Sequence, residues 1–278
     1  MSDALTLLSA AGFPATEVLG AGMEGTVAVL DEERAVKLWD FRDRTDIDRL
    51  RVFYDAVAES GFALAVPRIL EVAEVEGRMI TVQARLHGEP LADADAVVDV
   101  LAALADVPVH PDMAVLPVPD GERPFDPTVP FARSLADLVE RRAALLTGHV
   151  GAHTVAALAD DLRHLAPRPP RLVHGDLGPG NVLAVDGRPT ALLDFGYVST
   201  VGDPAFDAAV AAAVADMFGP RSAATTARID ALTRARFGYE ERRLALYRAA
   251  YGLVTASLLV AAPDQPHFRW CLGWLSRL

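Results

Sequence analysis

Leu-Val-His-Gly-Asp-Leu-Gly-Pro-Gly-Asn-Val-Leu at residues 172–183, followed by Leu-Leu-Asp-Phe-Gly at 192–196, decides how the rest of the chain is read. Two apolar segments that read as short strands are punctuated by three polar groups, Asp176, Asn181 and Asp194. Strand ends that turn sharply and present carboxylates suit a site holding a divalent cation beside a hydroxyl nucleophile. A hard cation such as Mg²⁺ takes oxygen ligands from one or two carboxylates and from substrate phosphates. Asn181 and Asp194 can supply the protein's share, and Asp176 can orient an attacking hydroxyl. The alternative makes Asp176 a turn carboxylate and Asn181 a loop cap; Asp194-Phe195-Gly196, thirteen residues after Asn181, weighs against it. His174 is expected to brace the loop through its ring rather than to act as a base.

Working outward, Gly20-Ala21-Gly22-Met23-Glu24-Gly25-Thr26-Val27 fits G-x-G-x-x-G-x-V. Glycine permits backbone dihedrals and a close phosphate approach that a Cβ would obstruct. A strand pattern follows it rather than a helix, so it is not a dinucleotide fingerprint. Lys37, in Ala-Val-Lys-Leu twelve residues beyond Gly25, lies on the next expected strand and can reach the same phosphates. On the C-terminal side, Gly202-Asp203-Pro204-Ala205-Phe206-Asp207 opens a helix. Asp203 suits its cap, with Pro204 at the first helical position. Asp203 can also accept hydrogen bonds from the catalytic-loop backbone, and Asp207 is placed to brace the site or to sit near an acceptor. The H-x-D-x-x-x-x-N and D-F-G pair, with a glycine turn and an upstream lysine, is the arrangement that performs ATP-dependent phosphoryl transfer.

The flanking pattern predicts two lobes. Residues 1–14 read as a short amphipathic helix. Residues 17–39 read as two antiparallel strands joined through Asp31-Glu32-Glu33, and Arg42–Ser60 as a helix ended by Gly61. Arg68–Val75 and Arg78–Leu86 read as strands turning at Glu76-Gly77. This gives an α+β chain: a small antiparallel-sheet lobe with one main helix over 1–86, a link at 87–91, and a larger, mostly helical lobe over 92–278. Helices are expected at 93–105, 131–147, 151–165, 204–218, 221–236, 240–262 and 266–277. Between the first two of these, Val107–Pro130 carries seven prolines and reads as an irregular excursion.

With 278 residues, 51% of them hydrophobic, the chain can bury a large core. Its single cysteine, Cys271, excludes an intrachain disulfide and reads as a small core residue. The apolar run Leu244–Ala262 is interrupted by Tyr247, Arg248 and Tyr251, and the N-terminus shows no basic leader. The expectation is a soluble, cytoplasmic protein without a membrane partner. A net charge of −12 argues against nucleic-acid binding and is compatible with a cationic substrate, or simply with solubility.

His-Gly-Asp-Leu-x-x-x-Asn-Val-Leu and the later Gly-Asp-Pro-Ala-Phe-Asp resemble the aminoglycoside phosphotransferase and choline kinase-like branch of the protein kinase-like superfamily, over about residues 15–260. The resemblance implies a two-lobed protein kinase-like fold and transfer of the ATP γ-phosphoryl group to a hydroxyl of a small molecule. The acceptor would be an aminoglycoside or another antibiotic, or alternatively a sugar, nucleoside or amino alcohol. It implies Asp176 as the base or hydroxyl-orienting residue, Asn181 and Asp194 as Mg²⁺ ligands, and Lys37 on the nucleotide phosphates under a turn formed by Gly20, Gly22 and Gly25. Gln83 to Leu86, including Ala84, would be the hinge that meets the adenine. The acceptor would lie in the helical lobe, with Asp207, Asp216, Glu240, Glu241, Trp270 and Trp274 as candidate lining. The family places a glutamate on the first-lobe helix to pair with the lysine; here the aligned stretch offers Asp48, with Asp46 and Asp55 as alternatives. A pseudokinase would lack one of the lysine, base or metal residues, all of which are present. A protein kinase would carry an Ala-Pro-Glu segment, which is absent after Asp194.

Overall fold

Glycines divide residues 17–39 into three strands where the alternation alone suggested two. β1 (Glu17–Gly22) and β2 (Gly25–Val29) form a hairpin whose tip is Met23-Glu24, and β3 (Arg34–Trp39) returns beside β2. The hairpin depends on Gly25, whose φ of +145° and close approach to β3 exclude a side chain: a Cβ there would lie 2.0 Å from the Leu38 carbonyl oxygen. β4 (Ile69–Val75) and β5 (Arg78–Ala84) complete an antiparallel sheet of order β1-β2-β3-β5-β4. They turn at Glu76 (φ +50°) and Gly77 (φ +76°), the doubly left-handed geometry expected of a two-residue hairpin. The structure is a computed structural model, and it describes residues 2–119, 124–196 and 198–277. Part of the proline-dense excursion, residues 120–123, lies outside the described residues.

Alternation assigns the two faces of this sheet different tasks. Val36 and Leu38, with Ala28 and Ile80, face Leu8 of α1 (Ser2–Ala10). The opposite face carries Lys37 and Trp39 with Thr81 and Gln83, and, through the register Gly20↔Val27↔Lys37, the glycines of the turn. Trp39 closes the apolar side of α2 (Arg44–Glu59), which buries Ile47, Leu50, Phe53, Tyr54 and Val57 at helical spacing. Asp43 caps α2 by accepting from the Asp46 N–H at 2.9 Å. Gly61, at φ +80°, follows its end.

The connection after β5 is more ordered than a linker. Glu89–Pro90 forms β6 and pairs with β8 (Val182–Val185), which in turn pairs with β9 (Arg188–Leu192). Ala65, just after α2, exchanges hydrogen bonds of 2.9 Å with Thr190 and Leu192 of β9. The first-lobe helix is thereby tied to the strand leading into Asp194. The rest is helical: α3 (Val97–Asp106), α4 (Phe131–Ala143), α5 (Ala152–Arg163), α6 (Ala205–Val214), α7 (Ser222–Phe237), α8 (Glu241–Leu258) and α9 (Pro266–Gly273). One continuous core joins Trp39 and α2 to these helices, with Met113 of the proline-dense segment in it. β7 (Arg171–Val173) pairs with β10 (Thr200–Gly202), bringing residue 174 against residue 199. Among the described residues no helix is long and apolar enough to cross a membrane.

Candidate active site

The loop after β7 is held by groups that leave one carboxylate facing out. His174 is fully buried; its Nε2 donates to the Leu193 carbonyl at 2.7 Å, and its Nδ1 accepts from the Asp176 N–H at 3.2 Å. Those two bonds fix the neutral tautomer with the proton on Nε2. The ring also packs on Phe195, with centroids 4.5 Å apart, so His174 is a brace, as its sequence context suggested. Gly175 needs its φ of +88°, and a Cβ there would meet the Val198 carbonyl carbon at 2.6 Å.

Asp207, on the first turn of α6, braces the same loop from below. Its Oδ2 accepts from the His174 N–H at 2.7 Å and its Oδ1 from the Gly175 N–H at 2.8 Å. Burial pushes its pKa up, and the two main-chain donors pull against that. Asp203 does not reach this loop. Its Oδ1 accepts from the Ala205 N–H in the manner of a cap, and its Oδ2 accepts from the Tyr247 hydroxyl at 2.7 Å and from Arg243, both on α8.

Asp176 emerges with its side chain exposed, and its Oδ1 accepts a hydrogen bond of 2.7 Å from the buried Tyr251 hydroxyl. Asn181 donates from Nδ2 to the Asp176 carbonyl at 2.9 Å, so its Oδ1 remains an oxygen ligand. Asp194 follows β9 in a left-handed conformation, φ +53°, that is rare for a non-glycine residue and leaves its carboxylate about half exposed. Gly196 is pinned next to it: its N–H donates to the Ser199 hydroxyl at 2.7 Å, and that hydroxyl donates to the His174 carbonyl. An amide oxygen and a carboxylate are the hard donors that Mg²⁺ takes; Asp194 shares its Oδ1 with Lys37 and keeps its other oxygen. Among the described residues there is no group of three or more His, Cys, Asp or Glu side chains placed to hold a metal ion.

Lys37 points into the same space from the sheet. Its ammonium lies 3.1 Å from Asp194 Oδ1, 3.8 Å from Glu24 Oε2 and 3.9 Å from the centroid of the Trp39 ring. Glu24, at the tip of the glycine hairpin, also bonds Arg42 at 2.6 Å. The expectation that Asp48 pairs with Lys37 is therefore corrected. Asp48 lies on the solvent side of α2, bonded to Arg44 at 3.1 Å, and Asp55 faces Arg68 at 3.4 Å. Asp46 is half-buried beside Arg42, and burial raises its pKa. What α2 contributes is aromatic: Phe53 and Tyr54 pack on Phe195 at centroid distances of 5.1 and 6.1 Å.

Gly20, Gly22 and Gly25 share the sheet face of Lys37, and no atom lies within 4 Å of a Cβ built on Gly20 or Gly22. Gln83 is on that face too, its amide bonded to the Thr81 hydroxyl at 2.9 Å. The N–H groups of Ala84 and Arg85 are committed to the Arg68 and Glu33 carbonyls, at 3.0 and 2.8 Å, and are not offered to a base. That narrows the expected hinge contacts to the carbonyls of this stretch and to Leu86.

A family model described as the phosphotransferase enzyme family matches residues 5–247. The chain belongs to that family. Solved structures agree in fold. An aminoglycoside phosphotransferase APH(4)-Ia, in a ternary complex with ADP and hygromycin B, superposes with a TM-score of 0.73 at 18% identity, covering 100% of this chain and 97% of that one. An ADP-bound aminoglycoside phosphotransferase APH(2'')-Ib gives 0.61 at 15% identity, covering 100% and 96%. The macrolide 2'-phosphotransferase MphH from Brachybacterium faecium gives 0.58 at 17%, covering 100% and 99%. No curated protein matches the sequence.

The residues expected to line an acceptor pocket are placed as follows. Asp207 is the buried brace described above. Glu240 bonds Arg243 at 3.0 Å and Arg168 at 3.4 Å, and Glu241 bonds Arg234 at 3.1 Å. Asp216 accepts from the Arg221 N–H at 3.1 Å. Trp274 is buried between Arg248 and Arg277, with its ring edge-on to Trp270 at 5.8 Å. Trp270 contacts His267, which contacts the exposed Phe218. Sequence reading missed Glu24, Arg42, Ser199 and Tyr251; only Tyr251 left a signal, as a polar break in an apolar helix.

Proposed function

We propose that this phosphotransferase moves the γ-phosphoryl group of Mg·ATP to a hydroxyl of a small molecule. The observation that carries the reading is Asp176: an exposed carboxylate, anchored from behind, on a loop that also positions Asn181 and is bonded through His174 to the strand entering Asp194. Asp176 orients the attacking hydroxyl and accepts its proton. Lys37 exchanges its contacts with Asp194 and Glu24 for the nucleotide phosphates, beneath the open backbone at Gly20 and Gly22. Asn181 Oδ1 and the Asp194 carboxylate hold Mg²⁺, which neutralises charge on the transferring group when bound. Such a transition state needs positioning and charge neutralisation more than covalent help. Residues 1–86 and the link at 87–91 serve the nucleotide, with Gln83, Ala84 and Leu86 beside the base, and residues 92–278 serve the acceptor.

Aminoglycosides and macrolides, bound or modified by the structural neighbours, are the first acceptors to test. A polycation needs unpaired carboxylates as partners. Of the four carboxylates expected to line the acceptor side, Glu240 and Glu241 are paired with arginines, and Asp207 and Asp216 accept main-chain hydrogen bonds. Rings of Phe218, His267 and Trp270 stand there instead, and burial lowers the His267 pKa against the opposing pull of Asp176. This favours an acceptor with an apolar face and few ammonium groups.

The test is ADP formation from Mg·ATP against aminoglycosides, macrolides, sugars, nucleosides and amino alcohols, with Asp176→Asn alongside. Turnover with one class, lost in the variant by on the order of 10²–10⁴-fold, supports the reading. Failure to bind Mg·ATP refutes it. Binding without turnover across the panel favours a nucleotide-binding module.

A further inference from the structure

Asp176 has two carboxylate oxygens, and the fold treats them differently. Oδ1 receives the Tyr251 hydroxyl at 2.7 Å, whereas among the described residues no donor meets Oδ2. The backbone of the residue is fixed from both directions, its N–H by His174 and its carbonyl by Asn181. Main-chain restraint alone leaves χ1 and χ2 of an exposed aspartate free to rotate, and the Tyr251 bond removes that freedom.

Tyr251 is itself rigid. It lies in the middle of α8 and is 7% exposed, with its ring 6.4 Å from that of Phe206. It continues a row at four-residue spacing, Arg243, Tyr247 and Tyr251, which lies along one face of α8. The first two reach Asp203 and the third reaches Asp176. Burial and the neighbouring Asp176 raise the phenol pKa well above its ordinary value, so the hydroxyl keeps its proton and remains a donor.

We infer that Tyr251 is a positioning residue for phosphoryl transfer: by holding Oδ1 it fixes the Asp176 rotamer and reserves Oδ2 for the acceptor hydroxyl. This rests on the proposed role of Asp176. Tyr251 donates no proton to the reaction and touches neither nucleotide nor metal. Its contribution appears in kcat, because a rotating carboxylate spends most of its time out of line with the acceptor hydroxyl. A hydrogen bond to a charged group is worth about ten- to a hundredfold in a rate that depends on it.

The experiment compares Tyr251→Phe, Asp176→Ala and the double variant, using Mg·ATP and whichever acceptor of the panel supports turnover. Tyr251→Phe retains the ring in the core but gives up the bond to Asp176 and a side-chain contact with Thr255, so some fall in melting temperature is expected while nucleotide affinity matches the parent. The expected result is a kcat loss of about ten- to a hundredfold with KM for ATP unchanged. In the Asp176→Ala background the same substitution should cost nothing further, since the carboxylate it positions is gone. A merely structural tyrosine would lower kcat by a similar factor in the Asp176→Ala background as in the parent, and that result overturns the inference. So does a Tyr251→Phe enzyme with parental kcat while Asp176→Ala is inactive. Full activity of Asp176→Ala would instead remove the role of Asp176 on which the inference rests.

Discussion

Replacing Asp207 by alanine separates support of the catalytic loop from its chemistry. The carboxylate is 1% exposed, and its two oxygens receive the His174 and Gly175 N–H groups at 2.7 and 2.8 Å. Alanine leaves both main-chain donors unpaired inside the protein. One such group costs about 1–3 kcal/mol, so the pair costs about 2–6 kcal/mol. Against this stands the desolvation that raises the Asp207 pKa, which the substitution also removes. The net destabilisation is expected at about 2–4 kcal/mol, read as a lower midpoint in urea unfolding followed by tryptophan fluorescence. Because Asp176 is the residue after Gly175, slackening the loop also misplaces the carboxylate proposed as the base. A displacement of about 1 Å can cost on the order of 10²-fold in kcat. Nucleotide affinity should hold, since Lys37 and Asp194 do not touch Asp207. An Asp207→Ala protein with parental stability and parental kcat would refute the brace.

Three other outcomes follow from separate parts of the fold. Gly25→Ala forces a Cβ onto the Leu38 carbonyl and should destabilise by more than about 3 kcal/mol in thermal unfolding, whereas Gly22→Ala, with nothing within 4 Å, should melt normally and change only nucleotide affinity. Asp203→Ala strands the buried Arg243 guanidinium and the Tyr247 hydroxyl. With Glu240 still at 3.0 Å from Arg243, a loss near the lower end of about 3–5 kcal/mol is expected in chemical unfolding, and a loss below about 1 kcal/mol would contradict the pairing. Burial pushes the Cys271 thiol up to about 12, so at pH 8 its thiolate fraction is roughly 10⁻⁴; Ellman's reagent should find no thiol in the native protein and one after urea unfolding.

Local patterns carried the parts of the fold that local chemistry decides. Alternation and the Glu76-Gly77 turn located β4 and β5, apolar spacing located α2, and the segments at 172–183 and 192–196 singled out Asp176, Asn181 and Asp194, which the structure brings to one side of the cleft, facing Lys37. Residues whose role depends on a distant partner were not legible. The run Leu244–Ala262 reads as an apolar helix with polar interruptions. In the structure Tyr247 and Tyr251 answer aspartates 44 and 75 residues earlier, and Arg248 answers Asp230. Nothing in the sequence distinguishes Asp203 from Asp207 as the loop's brace. The difference is one helical turn: from position 203 the carboxylate meets α8, and from 207 it meets the loop after β7. The split of residues 17–39 was also missed, because a glycine hairpin contributes no apolar side chains to the alternation that marks a strand.

The partner of Lys37 shows how this chain redistributes a familiar task. An acid on α2 would tie the lysine to the position of the helix. Here the lysine lies between Glu24, on the glycine hairpin, and Asp194, on the far side of the cleft, while α2 meets the Asp-Phe-Gly segment through Phe53 and Tyr54. Ring packing of this kind is short-ranged and indifferent to charge, so α2 fixes where Phe195 sits without competing for the ammonium. The carboxylates that do compete belong to the two segments a nucleotide would approach, the turn above its phosphates and the ligand for its cation. Were phosphate oxygens to take the ammonium, the Arg42 bond to Glu24, 2.6 Å here, would still anchor the hairpin tip to the residue just ahead of α2. The lysine can therefore change partners without the hairpin losing its hold, an arrangement that an acid on α2 would not provide.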